Sequence, residues 1–139
     1  MDMFNLRFIA LFILMLQLNA MSAQELTEFK WEKRILLIMD TENDLQTRDL
    51  QLSKFNTQSS EMRARDLVLF VYTGREVLDI DGMITNINPD NVPDSQHQGV
   101  ILIGKDGGVK LIKKYIVEAK EVFDLIDQMP MRRSEMKNR

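Results

Sequence analysis

The chain has 139 residues, a formal net charge of −3 and no cysteine. One domain is expected, long enough to bury a core without metals or cross-links. The missing thiol excludes disulfides, thiol nucleophiles, thiolate metal centres and a lipid-bearing leader cysteine, and nothing basic and contiguous argues for nucleic acid, since Lys113-Lys114 and Arg132-Arg133 are only pairs.

Residues 1–23 read as an export signal. Arg7 precedes the apolar run Phe8–Leu16, and small residues follow at Ala20, Ser22 and Ala23. The run is short for a membrane span, so cleavage near Ser22 or Ala23 is expected, with no stable span afterwards. An uncleaved anchor or a buried helix is the alternative. The mature domain, residues 24–136, is then periplasmic or extracellular, and a cysteine-free secreted domain is ordinary in a bacterial periplasm.

Ile35–Met39 is apolar at every position and predicts a central strand covered on both faces. Phe29 and Trp31 before it are expected to cover one end of the core. Thr41-Glu42-Asn43-Asp44 predicts a helix start, with Thr41 capping and Asp44 reaching back. Leu45, Leu52, Phe55 and Met62 then recur along one helix face. Leu67–Tyr72 is the second strand. Strand, helix and strand within roughly thirty-five residues predict a parallel βαβ unit.

Residues 76–98 predict a short helix or an irregular pad, closing in the turn chemistry of Asn88-Pro89-Asp90-Asn91. Asp79-x-Asp81-Gly82 fails as a calcium loop, because Val77 would take the first ligand position and Asn88 the bidentate one. It reads as a turn. His97, the only histidine, reads as a loop residue. With no cysteine there is no second soft or imidazole ligand, and zinc is not expected.

Val100–Ile103 and Val109–Ile112 flank Gly104-Lys105-Asp106-Gly107-Gly108, which predicts a hairpin. The first strand should be interior. The second carries Lys110, Lys113 and Lys114 and suits an edge, where lysine discourages pairing with another chain. Val117–Met129 predicts a helix with Ala119, Val122, Phe123, Ile126 and Met129 on its buried face. Pro130 should end it, leaving a charged tail that frays over 137–139. The fold class expected is α/β: a four-stranded mixed sheet in the order β-α-β, connection, β-β-α, with flanking helices. That is the thioredoxin-like order.

Four segments carry a resemblance: WEKRILLIM at Trp31–Met39, RARDLVLFV at Arg63–Val71, ILIGKDGGVKL at Ile101–Leu111 and IDQMPMRRSEM at Ile126–Met136. With these the chain resembles the family named domain of unknown function 4174. The resemblance implies a thioredoxin-like fold and an extracytoplasmic setting, and similar peroxiredoxin-like domains occur in secreted matrix proteins with sushi repeats. It implies no activity. Where a redox relative carries its cysteine, this chain has Asp40–Asp44, and Gln98-Gly99 stands where such folds place a proline.

Three groups of residues bear on function. Asp40, Glu42 and Asp44 lie where open α/β sheets bind ligands and have the chemistry for acid–base work or a hard cation, although acids at a helix start usually cap it. Met129, Met131 and Met136 offer thioethers of the kind Cu(I) selects; packing is the alternative. Arg132 and Glu135 form a local pair in the terminal motif, and with Lys105 and Asp106 at the hairpin tip they make the candidate binding surface, against a plain solvated turn. The expected function is that of an exported, redox-inactive thioredoxin-like module, with no catalytic residue, cofactor or metal, that binds an unidentified protein or envelope component. The alternatives are a cysteine-free enzyme built on the acids near Asp40, and a Cu(I) binder.

Overall fold

A computed structural model describes residues 22–139, together with Met3. The expected leader lies almost wholly outside the described residues. Among the described residues no helix is long and apolar enough to cross a membrane.

Strands β1 (Arg34–Met39), β2 (Leu67–Tyr72), β3 (Val77–Asp79), β4 (Gly99–Ile103) and β5 (Val109–Lys113) form one sheet in the order β3-β2-β1-β4-β5. Strand β1 runs parallel to β2, with Ile35 opposite Val68, and antiparallel to β4, with Ile35 opposite Ile103. All six residues of β1 and all five of β4 are buried, as the apolar runs Ile35–Met39 and Val100–Ile103 require, and Arg34 at the head of β1 is buried with them. Strand β5 is the exposed edge carrying the lysines. The hairpin turn closes through Gly107, whose φ of 83° a side chain would resist.

The sheet has a core on each face because side chains alternate along a strand. Leu36, Ile38, Leu69 and Val71 face helices, where they meet Phe55, Met62, Val122, Phe123 and Ile126. Leu37, Met39, Phe70 and Ile101 face the other way, against Leu26 of a short 3-10 helix (Leu26–Phe29) and Ile87 and Val92 from the β3–β4 connection. The helices are α1 (Leu45–Ser53), α2 (Ser59–Ala64), α3 (Ala119–Asp127) and α4 (Pro130–Lys137).

The structure departs from the sequence expectation in five places. The sheet has five strands, not four: Val77–Asp79 pairs antiparallel with Phe70–Tyr72, in the segment expected to be a short helix or pad. The reversal runs through Gly74, at φ 88°, and a bond from the Thr73 amide to the Glu76 carbonyl. Asp44, not Thr41, caps α1, accepting from the Thr47 amide at 3.1 Å. The helical stretch is broken between α1 and α2, where Asn56, Thr57 and Gln58 favour turns over helix, so Leu45 is half exposed while Phe55 in the break is fully buried. Trp31 does not cover the core; it is 60% exposed, at φ 71°, and Phe29 alone packs inward, 5.6 Å from the Phe70 ring. Finally, Pro130 ends α3 but starts α4, because proline's fixed φ and missing N–H suit the first helical position. The tail is therefore helical through Lys137, and Arg132 on it is buried.

Candidate functional site

Two polar sites occupy opposite ends of the sheet. At the C-terminal end of β1, Asp40 is completely buried. Its carboxylate accepts from the Asp44 amide at 2.8 Å and from Arg48 at 3.3 Å. Gln98 lies across the same corner. Its Oε1 accepts from the Thr41 amide at 2.8 Å, the Thr41 hydroxyl at 3.1 Å and the Glu42 amide at 3.1 Å, while its Nε2 approaches Asp40 at 3.4 Å. Backbone N–H groups that such a corner can offer a ligand are thus occupied by a side chain of the same molecule. The Tyr115 hydroxyl donates to the Met39 carbonyl at 2.7 Å, and burial, with the Asp40 charge adding, holds it well above the ordinary tyrosine range.

The three acids at this end do different things. Asp40 is turned inward, Glu42 is exposed, and Asp44 is exposed and capping, its carboxyl held low first by the Thr47 hydroxyl and then by the Thr47 amide. No group of three or more histidine, aspartate and glutamate side chains able to hold a metal ion occurs among the described residues. His97 Nε2 sits 3.1 Å from the Lys113 carbonyl, in a loop as expected. Asp79 accepts from the Asp81 and Met83 amides, the turn expected of that stretch.

The other end is organised by Arg34, the first residue of β1. Only 1% exposed, it grips Glu135 of α4 with two parallel bonds of 3.2 Å and donates to the Arg65 carbonyl at 2.8 Å. Lys105 reaches Glu135 at 2.6 Å and Asp66 at 2.8 Å. Arg132 donates to Asp127 at 3.0 Å and to the Ala64 carbonyl at 2.6 Å. Arg65 clamps Asp127 from the other side at 2.8 Å and lies over the Phe123 ring. Burial raises the carboxyls of Glu135, Asp66 and Asp127. The hydrogen bonds and charges of Lys105 and Arg34, of Lys105 and Lys33, and of Arg65 and Arg132 respectively outweigh it, so all three end below their ordinary values.

Between the hairpin turn and the α3–α4 junction lies a half-open cleft of about 490 Å³. Leu125, Met129, Pro130 and Met131 form its apolar walls, and Arg34, Lys105 and Lys110 bring positive charge. Lys110 is tied to Asp106 across the mouth at 2.8 Å, a bond that, with the Gly108 amide, holds the Asp106 carboxyl low.

The structure therefore brings Lys105, Arg132 and Glu135 into one network and leaves Asp106 beside it at the cleft mouth. Lys105 is buried rather than waving at the hairpin tip; the solvated-turn reading fits Asp106 alone. Arg132 and Glu135 do approach each other, at 3.8 Å, but their shorter bonds go to other elements. Met129 is half buried against the core, while Met131 and Met136 are exposed on α4. Sequence reading missed Arg34, Arg65, Asp66 and Asp127. A charge heading the apolar run of β1, and Arg65-Asp66 directly before β2, were the available signals.

These features define a mixed α/β domain without a thiol, closed by its own side chains at one end of the sheet and cleft at the other. The chain belongs to the family described as domain of unknown function (DUF4174), whose pattern matches residues 25–135. That span contains every residue of both sites. No solved structure matches the chain.

Proposed function

We propose that the protein is an exported, redox-inactive module of thioredoxin-like type that docks a protein or envelope component through the end of the sheet where the hairpin turn meets α4. The order of a parallel βαβ unit followed by a hairpin and helix supports the scaffold assignment, and the Arg7–Ala23 leader pattern supports export. One observation carries the binding role. The corner at the C-terminal end of β1, where this scaffold usually does chemistry, is filled by Gln98 and carries no thiol, whereas the cleft at the other end is open and lined by mixed apolar and basic groups.

The scatter of Asp40, Glu42 and Asp44 favours capping over catalysis, because an acid–base pair must converge on one reacting atom. A photo-crosslinking residue at Met131, beside the cleft, tests the reading against the same residue at Leu45, half exposed at the opposite end. In cells of the source organism the position-131 probe should give a discrete adduct and the position-45 probe none. An adduct from position 45 alone would reverse the assignment.

A further inference from the structure

We propose that the cleft between the hairpin turn and the α3–α4 junction binds a small amphiphile: one carboxylate-type anionic group on an apolar body. This rests on the reading that this end of the sheet is the working face, and it names the chemistry that the face selects.

The walls set the apolar half. Leu125, Met129, Pro130 and Met131 present side chains without polar hydrogen-bonding groups, and the two thioethers adapt to an irregular or flexible chain. A volume of about 490 Å³ lies within the roughly 300–1,000 Å³ usual for small-molecule sites. The charges set the other half. Three lining residues are cationic; Arg34 and Lys105 are already paired with Glu135 and Asp66, which leaves Lys110, held only by Asp106, as the one whose partner a ligand can replace.

A separate observation points the same way. The Nε–H of Arg34 is sealed from water and has no hydrogen-bond partner, while its terminal nitrogens donate to Glu135 and the Arg65 carbonyl. An orphaned buried donor costs about 1–3 kcal/mol. It belongs to a residue that lines this cleft, so an anionic oxygen that reached it through a small shift of the cleft wall would remove the deficit. Lys110 supplies the second contact. Its present bond to Asp106 is a partly exposed surface pair, cheap to exchange for a ligand carboxylate. Glu135 shows that Arg34 and Lys105 together hold a carboxylate, both donating to it.

Sodium decanoate is the probe, titrated calorimetrically into the protein up to about 5 mM, where even millimolar affinity is readable. Trp31, the only tryptophan, gives a second readout, because its amide bonds the Lys105 carbonyl. Decanoate should bind at least tenfold more tightly than 1-decanol and shift Trp31 emission. Lys110→Ala should weaken it about tenfold, and Met131→Asp, a change at an exposed position, should abolish it, while Glu42→Ala at the far end leaves it unchanged. No binding, equal binding of decanol, or indifference to both Lys110→Ala and Met131→Asp overturns the proposal. If decanoate fails while the crosslinker at position 131 still captures a partner, the amphiphile inference falls and the docking reading stands. If decanoate binds and no adduct forms, the reverse holds.

Discussion

Glu135→Ala is the sharpest test of what holds the C-terminal helix. The substitution deletes both Arg34 bonds of 3.2 Å and the Lys105 bond of 2.6 Å. Arg34 is 1% exposed and cannot shed its proton, so it is left as a buried charge missing its counter-ion. Breaking such a pair costs about 3–5 kcal/mol. Two features pull the value to the lower end. The Glu135 side chain is 22% exposed, so water reaches part of the vacated space, and Arg34 and Lys105 keep the Arg65 carbonyl and Asp66. We expect a loss of about 3 kcal/mol. In urea, with a slope of about 1.5 kcal/mol per M, the unfolding midpoint falls by about 2 M. Glu135→Gln keeps one acceptor and the shape, and should cost about half as much. Lys120→Ala, which breaks an exposed pair with Asp124, is the control and should move the midpoint by less than about 0.5 M. If Glu135→Ala behaved like the control, the network would not be what fastens α4, and the reasoning would fail.

Three further outcomes follow from the same contacts. Glu135, Asp66 and Asp127 are held below ordinary values of 4.5, 3.8 and 3.8, so the folded state binds fewer protons there than the unfolded chain. Their contribution is complete above those values and is lost as pH falls through the lower folded ones; urea midpoints should stay level from neutral pH to about 5 and drop below about 4.5, and a midpoint that rises on acidification contradicts this. Gln51 is fully buried and pairs with both the amide and the carbonyl of Val117, at 2.7 and 2.8 Å; Gln51→Leu strands both groups and should cost about 2–4 kcal/mol in thermal or urea unfolding. A Cβ at Gly99 would lie 2.2 Å from the Lys113 carbonyl oxygen at a φ of 150°, so Gly99→Ala should cost about 3 kcal/mol or more and erase amide-exchange protection in β5 before β1.

Local pattern made the sheet legible. The unbroken runs of β1, β2 and β4 could only be interior strands, and Asp106-Gly107-Gly108 between two apolar runs fixed the hairpin. Strand β3 escaped because three residues carry no readable period, and its pairing depends on where the Gly74 turn delivers them. Leu45 fits the apolar face by spacing, yet the helix begins at that residue and its first turn projects past the core. The C-terminal segment looked like a solvated tail because it is rich in charge; its charges are long-range partners. Arg34 and Glu135 are 101 residues apart, and no local rule pairs them. Lys105 was legible as a candidate by its place in the hairpin, but its inward path is set by Asp66 and Glu135, which only the folded chain brings near.

In the proposed docking mode the hairpin–α4 end of the sheet meets the partner while the β1–α1 corner does not. Methionine-methyl NMR reads both at once, since Met129 and Met131 line the cleft and Met39 adjoins Asp40. On addition of solubilised envelope from the source organism, the Met129 and Met131 signals should shift or broaden while Met39 stays in place. A response at Met39 with Met129 and Met131 unmoved would contradict the account.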